Sequence, residues 1–378
     1  MTGDIVSSHT ESSQADSTPP RSRPLAPYAM RDADSTGREH PESEHSYRGA
    51  FQRDRDRVLH SAAFRRLSGK TQVFTGAMGD YHRTRLTHTM EVASIARTMG
   101  RALELNEDLV EALALLHDIG HPPFGHSGED ALAECLADHG GFSHNQFALT
   151  LVRELERPYP HYEGLNLTRE VLQSQQSRVD KKARGYRALL EAQVVDVADS
   201  ITYDAHDVDD AVKLGLLELD ELLEVELVRE CHRRVTRRFG SLDGKMLRRT
   251  VVHELIDLQV SDVLRHSSAE LQQRAFASAR DAHQAPITIG TSPELAERKG
   301  ELERFLFQRV YRNPQLVAGR RQAQENLKRL FHHYQEQLDR LPAKFQQRSQ
   351  VVGAERAIAD YLAGMTDRFF WQQFETLT

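Results

Sequence analysis

The sequence predicts an all-α protein. From Tyr47 onward apolar residues recur at intervals of three and four, β-branched runs are few, and no Asn-Gly pair joins two alternating segments as a hairpin would. The 378 residues are 28% charged and 39% apolar, the composition of a globular chain with one large or two modest domains. The longest purely apolar stretches are a handful of residues, as from Ala112 to Leu116, far short of the roughly 20 that a membrane-crossing helix needs. The first residues lack the basic-then-apolar order of a signal peptide. These features predict a cytoplasmic protein with no membrane partner, and Cys135 and Cys231 stand in no metal-binding or disulfide pattern.

Residues 1–45 hold 5 of the 13 prolines, with 4 Lys/Arg against 8 Asp/Glu and no apolar period. They are predicted to form a disordered tail, because so little burial cannot offset the entropy of ordering. A helical core is expected over 46–215 and further helices over 216–378. In the first helix that can be placed, Val92, Ile95, Met99 and Leu103 mark a buried face that His88 begins one turn earlier. The next starts at Asn106, an N-cap followed by Glu107 and Asp108, and stops at Gly120, so that His117 and Asp118 occupy its last turn. A third runs from about Gln193 to Val212. Its inward face is Val194, Ala198, Ile201, Ala205, Val208 and Val212, and its other face carries Asp199, Tyr203 and Asp207 at four-residue steps.

With residues 1–45 set aside, 45 basic residues face 48 acidic ones, so a wholesale nucleic-acid surface is not indicated. Histidine is the unusual count, at 19. His88, the pair His117-Asp118, and Asp199 all fall on or at the end of predicted helices, on or beside inward faces. Imidazole and carboxylate together suit a divalent ion such as Mn²⁺, Fe²⁺, Co²⁺, Zn²⁺ or Mg²⁺, with room for water or a substrate oxygen. Singly, each has an ordinary reading: inward histidines are usually satisfied core residues, and Asp199 could belong to a solvated stripe with Asp196 and Asp210.

The segment HDIGHPPFGHSGE from His117 to Glu129, with GGFSHN from Gly140 to Asn145, is more specific. It resembles the HD-domain superfamily of metal phosphohydrolases and, within it, the dGTPase-like deoxynucleoside triphosphate triphosphohydrolases, which include the animal sterile-alpha-motif/HD-domain dNTPase. The resemblance runs from about Tyr47 to Arg312, through FRRLSGKTQVF (Phe64 to Phe74), RLTH (Arg85 to His88) and VDVAD (Val195 to Asp199), to YRNP (Tyr311 to Pro314). The last sixty-odd residues carry no readable motif. The resemblance implies an HD-domain helical fold with additional C-terminal helices. It makes His88, His117, Asp118 and Asp199 the ligands of a divalent metal (Mn²⁺, Mg²⁺, Co²⁺ or Fe²⁺) and His121, His126, Glu129 and His144 the catalytic group behind them. Hydrolysis at the α-phosphorus needs an activated water and a proton for the departing 5′ oxygen, and His126, tuned by Glu129, is the first candidate to supply it. His121 follows a helix-ending glycine and has a plain reading as a carbonyl cap.

The same resemblance assigns the deoxyribose to Tyr203, Asp207 and Tyr311, and the base or sugar to Gln72. Between Arg53 and Arg85 there are 8 Lys/Arg against 3 Asp/Glu, a local surplus fit for a triphosphate. Arg85, one turn before His88, is its first candidate. Where the animal enzyme carries a lysine directly after the metal aspartate, this chain has Ser200. The expected activity is conversion of a dNTP to deoxynucleoside and inorganic triphosphate. Expected partners are the dNTP and further copies of the chain, with nucleic acid or an allosteric nucleotide left open. Two rivals remain: an HD phosphodiesterase acting on another nucleotide, and a binding module without turnover that uses Arg233, Arg234, Arg237 and Arg238.

Overall fold

In a computed structural model, which describes residues 24–72, 83–179 and 187–376, the chain is built from helices, and no strand occurs among the described residues. None of these helices is long and apolar enough to cross a membrane. The helices that frame the site are, in chain order, α1 (Ala50–Leu59), α2 (Arg85–Ala102), α3 (Glu107–Leu116), α4 (His126–Cys135), α5 (His144–Thr150), α6 (Arg169–Val179), α7 (Leu190–Lys213), α8 (Gly244–Arg274), α9 (Pro314–Glu336), α10 (Ala354–Ala363) and α11 (Asp367–Glu375).

The centre is α3. Its N-terminus is fixed by the Asn106 side chain, which accepts from the amides of Asp108 and Leu109, and Leu109, Val110 and Ala112 to Leu116 are all buried. A helix apolar on nearly every face must be surrounded, and α1, α2, α6 and α7 surround it. Helix α2 begins in a capping box between Thr84 and Thr87 and buries His88, Val92 and Met99, whereas Ile95 is only half-buried. The predicted third helix starts three residues earlier and ends one later than expected, as α7. It spans two apolar cores. Val194, Val195, Ala198 and Ile201 belong to the larger one with α1 to α3, while Ala205, Val208 and Ala211 join a second one with α8 and the Pro293–Leu306 helix.

The expectation of a disordered tail is corrected from residue 24 onward; residues 1–23 lie outside the described residues. Ala26, Ala29 and Met30 are buried. Arg38 pairs with the fully buried Asp54, which also accepts from the Thr168 amide at 3.0 Å and the Thr168 hydroxyl at 2.6 Å. Glu42 gathers Arg53, Arg57, Tyr162 and Asn166. Single polar side chains reaching into the helical body hold this segment, and such contacts leave no hydrophobic period to read. Removing Arg38 strands the Asp54 carboxylate in the core. Arg38→Ala is therefore expected to lower unfolding free energy by ~3–5 kcal/mol, measured by urea unfolding, against less than ~1 kcal/mol for the exposed pair Arg157–Glu163.

Candidate metal centre and active site

His88 comes from α2, His117 from the residue that closes α3, Asp118 from the turn after it, and Asp199 from α7. Ligand atoms of His88, His117 and Asp118 lie within 4.8 Å of one another, and all three residues are buried. Asp199 completes the ring: its Oδ1 is 3.0 Å from His88 Nε2 and 3.7 Å from His117 Nε2.

Hydrogen bonding selects the nitrogen that His117 presents. His117 Nδ1 lies 2.6 Å from the Ala114 carbonyl, which can only accept, so Nδ1 carries the proton. Nε2 then holds the lone pair, and it is buried without a hydrogen-bond partner while aimed into the cluster. Burial pushes the His117 pKa down, which keeps the ring neutral. On the carboxylates burial works the other way but loses. His121, His117 and Arg85 hold Asp118 well below the usual range, and His117 and His88 do the same for Asp199. Neutral imidazoles and ionised carboxylates are the states that bind a divalent cation. The donor set and the orphaned His117 Nε2 thus fit such an ion; which ion is not fixed by these residues.

A second group stands beside the first. His121, His126, Glu129 and His144 also have ligand-type atoms within 4.8 Å. Glu129 accepts from His144 Nδ1 at 2.8 Å and from His126 Nδ1 at 3.2 Å. Burial would raise the Glu129 pKa, but these bonds hold it well below the usual range. His121 joins the two groups: its Nδ1 is 3.0 Å from Asp118 Oδ1, and its ring stacks on His144 with centroids 3.8 Å apart. The stack depends on Gly120, where a Cβ would stand 2.0 Å from the His144 carbonyl. The sequence's capping alternative for His121 is also present, as a long 3.4 Å contact to the Asp118 carbonyl. His126 is the exposed member, its side chain at 59% accessibility, so it faces whatever enters.

Two of the residues expected on the sugar side, Tyr203 and Asp207, lie along α7. Tyr311, at the end of a π-helical turn (Phe307–Tyr311), donates its hydroxyl to Asp207 and stands 2.5 Å from the Tyr203 hydroxyl. Burial first, then Asp204 and Asp210, push Asp207 up to about 8. Arg320 from α9 lies over the Tyr311 ring, 5.0 Å from its centroid.

Arg85 differs from expectation. It is 1% exposed, donating Nη1 to Asp118 at 2.9 Å and Nη2 to the Gln72 carbonyl at 3.2 Å. Its guanidinium is bonded to the Asp118 carboxylate beside the cluster. Gln72 is buried, with its side-chain oxygen unpartnered among the described residues; Val73 and Phe74, the end of that motif, lie outside them. Beside Ser200 a basic group does occur: Lys299 reaches the Ser200 carbonyl at 3.3 Å, although it also pairs with Asp204 and Glu303.

His206 was missed by sequence reasoning. Its Nε2 donates to Glu91 at 2.6 Å and its Nδ1 lies 3.3 Å from His88 Nδ1, so a carboxylate–His–His relay orients the His88 ring. The signal was available, since His206 stands seven residues after Asp199 on the same helix.

Residues 85–204 match the HD domain family and residues 289–376 the phosphohydrolase-associated domain family. Proteins named deoxyguanosinetriphosphate triphosphohydrolase-like resemble the chain over nearly all its length. The one from Geobacter metallireducens is 41% identical over 93% of this chain and 94% of its own, and that from Nitrosomonas europaea 40% over 93% and 97%. The chain belongs to this family. It is an HD-domain phosphohydrolase that depends on a divalent metal, and the likeness continues through the C-terminal residues in which the sequence carried no motif.

The relay yields a test. His206→Ala frees the His88 ring, and Mn²⁺ affinity measured by calorimetry is expected to fall about 10–100-fold with far-UV circular dichroism unchanged; undiminished affinity would remove His206 from the site.

Proposed function

We propose that the chain hydrolyses a deoxynucleoside triphosphate at the α-phosphorus, releasing the deoxynucleoside and inorganic triphosphate. The observation that carries this reading is the register of α7. Asp199 stands at the metal cluster, and Tyr203 and Asp207 follow at one and two turns, closed over by Tyr311. A phosphate bound beside Asp199 would bring its sugar against an aromatic wall and a carboxyl group, where an added 2′-hydroxyl would crowd Tyr203. The relatives' names support the same substrate class.

A divalent ion, when bound, polarises the phosphate and acidifies water. The chain's own residues handle the rest. His126 donates Nδ1–H to Glu129, which aims its Nε2 outward toward the leaving side. Water oxygen bonds to the α-phosphorus and gives up a proton to solvent, the bond from phosphorus to the 5′ oxygen breaks, and a proton carried by His126 goes to that oxygen. His121 and His144, stacked and tied to Asp118 and Glu129, keep the donor in register with the ligands.

Anion-exchange analysis of products from each of the four dNTPs, with Mn²⁺ or Mg²⁺, tests the reaction. Triphosphate is expected; pyrophosphate with the nucleoside monophosphate would name a different bond. GTP should be turned over at least ~10-fold less efficiently than dGTP, and equal rates would remove the sugar pocket.

His126→Ala should lose about 10²–10⁴ in kcat with nucleotide affinity and metal content retained. Two ions per wild-type chain falling to one in the variant would instead make His126 a ligand.

A further inference from the structure

We propose that the C-terminal helix α11 acts on the active site from a distance, with Asp367 as a positioning residue for the loop that carries His121 and His126. Both Asp367 oxygens are used. Oδ2 accepts from the Thr71 amide at 3.0 Å and the Thr71 hydroxyl at 2.6 Å, and Oδ1 accepts from the Phe124 amide at 3.1 Å. Phe124 is held at φ +63°, a left-handed conformation that costs a bulky residue energy unless its surroundings enforce it. Gly125 follows at φ +58°, and a Cβ there would lie 2.6 Å from Arg85 Nη2. His126 is the next residue and opens α4. The Phe124 ring is clamped as well, packed edge-on against Phe370 and Trp371 of α11 at 4.9 and 5.7 Å.

A second tether holds the other end of the loop. Lys70 is 2% exposed and donates Nζ to the His121 carbonyl at 2.5 Å and to the Ala363 carbonyl at the end of α10 at 2.9 Å. Its partners are two backbone oxygens, one on the site and one on the C-terminal region, and burial pushes its pKa down to about 7. From Ala363 to Trp371 the chain thus holds Lys70, Thr71 and Phe124, and through Lys70 the His121 carbonyl, on both sides of Pro122 and Pro123. Asp367 and Lys70 bond to backbone atoms and to the Thr71 hydroxyl rather than to the side chains of the metal cluster. What they fix is the path of the backbone between a residue bonded to Asp118 and the proposed proton donor. Displacing a catalytic group by about 1 Å can cost ~10²-fold in rate, so the tether acts on turnover more than on binding.

The kinetic arm rests on the triphosphohydrolase reading; the exchange arm does not. Full-length wild type, Asp367→Ala, Asp367→Asn and Thr71→Val are compared by hydrogen exchange of peptides within 119–128 and 107–116, by Mn²⁺ content, and by kcat and KM for dGTP. In Asp367→Ala, exchange over 119–128 should quicken at least ~10-fold with 107–116 unchanged. The same variant should lose about 10–100-fold in kcat, with KM within threefold of wild type and metal retained. Asp367→Asn keeps one good acceptor and should recover part of the loss. Thr71→Val removes one donor and should show a smaller shift of the same kind, which carries the test if Asp367→Ala does not fold. Unchanged exchange over 119–128 overturns the proposal. So does a loss in which kcat, KM, metal content and exchange of 107–116 all move together, since that is global loosening. If the wild type releases no triphosphate, the substrate reading fails and the exchange arm alone decides the tether.

Discussion

The Asp118 carboxylate lies at the apolar centre of a helical body, where an unpaired charge would cost several kcal/mol, and the surrounding elements are arranged to give it partners. Arg85 reaches it from the start of α2 and His121 from the following turn, with His117 beside it in the chain. These partners have their own requirements. Arg85 needs the Gln72 carbonyl, and His121 needs the close approach of α5 that Gly120 permits. A site of this kind cannot be assembled from one loop. It requires α2, α3 and α7 to converge at α3's C-terminal end, which the continuous apolar surface of α3 enforces.

Two histidine-rich groups so close together divide by the partner that controls each. Around Asp118 the imidazoles are buried, and His117 turns an unprotonated nitrogen inward, a state suited to a cation. Around Glu129 the carboxylate accepts from two rings, His144 and the exposed His126, a state suited to moving protons. His121 belongs to both, bonded to Asp118 and stacked on His144, so the ring geometry of one group is transmitted to the other through packing.

Much of this was legible in the sequence because it is local. The capping at Asn106, the face shared by His88 and Val92, and the four-residue stripe on α7 all follow from local sequence, and the HDIGHPPFGHSGE segment holds members of both histidine groups within thirteen residues. What escaped notice joins distant segments through one side chain and a backbone atom: Arg38 to Asn166, Lys70 to Ala363, Asp367 to Phe124. Such contacts impose a residue type at one end only and leave no spacing. Arg85 shows the reverse case: the charge count reserved its guanidinium for phosphate, and in the structure it is buried and bonded to the Asp118 carboxylate.

Helix α7 carries a contrast that bears on the proposed substrate. Asp199 and Asp207 share a residue type and a helix face eight residues apart, yet their environments drive them in opposite directions. Histidines hold Asp199 well below the usual carboxylate range, whereas burial, with Asp204 and Asp210 nearby, pushes Asp207 up to about 8 although it accepts from the Tyr311 hydroxyl. Divergent environments around paired carboxyl groups assign them different work. The ionised end suits a cation and the phosphate it draws in. The other end sets the Asp207 carboxyl group beside the hydroxyls of Tyr203 and Tyr311 and an aromatic wall, which suits an uncharged sugar edge. Polarity along one helix would therefore fix which way round a nucleotide lies, with its triphosphate toward Asp199 and its sugar toward Asp207.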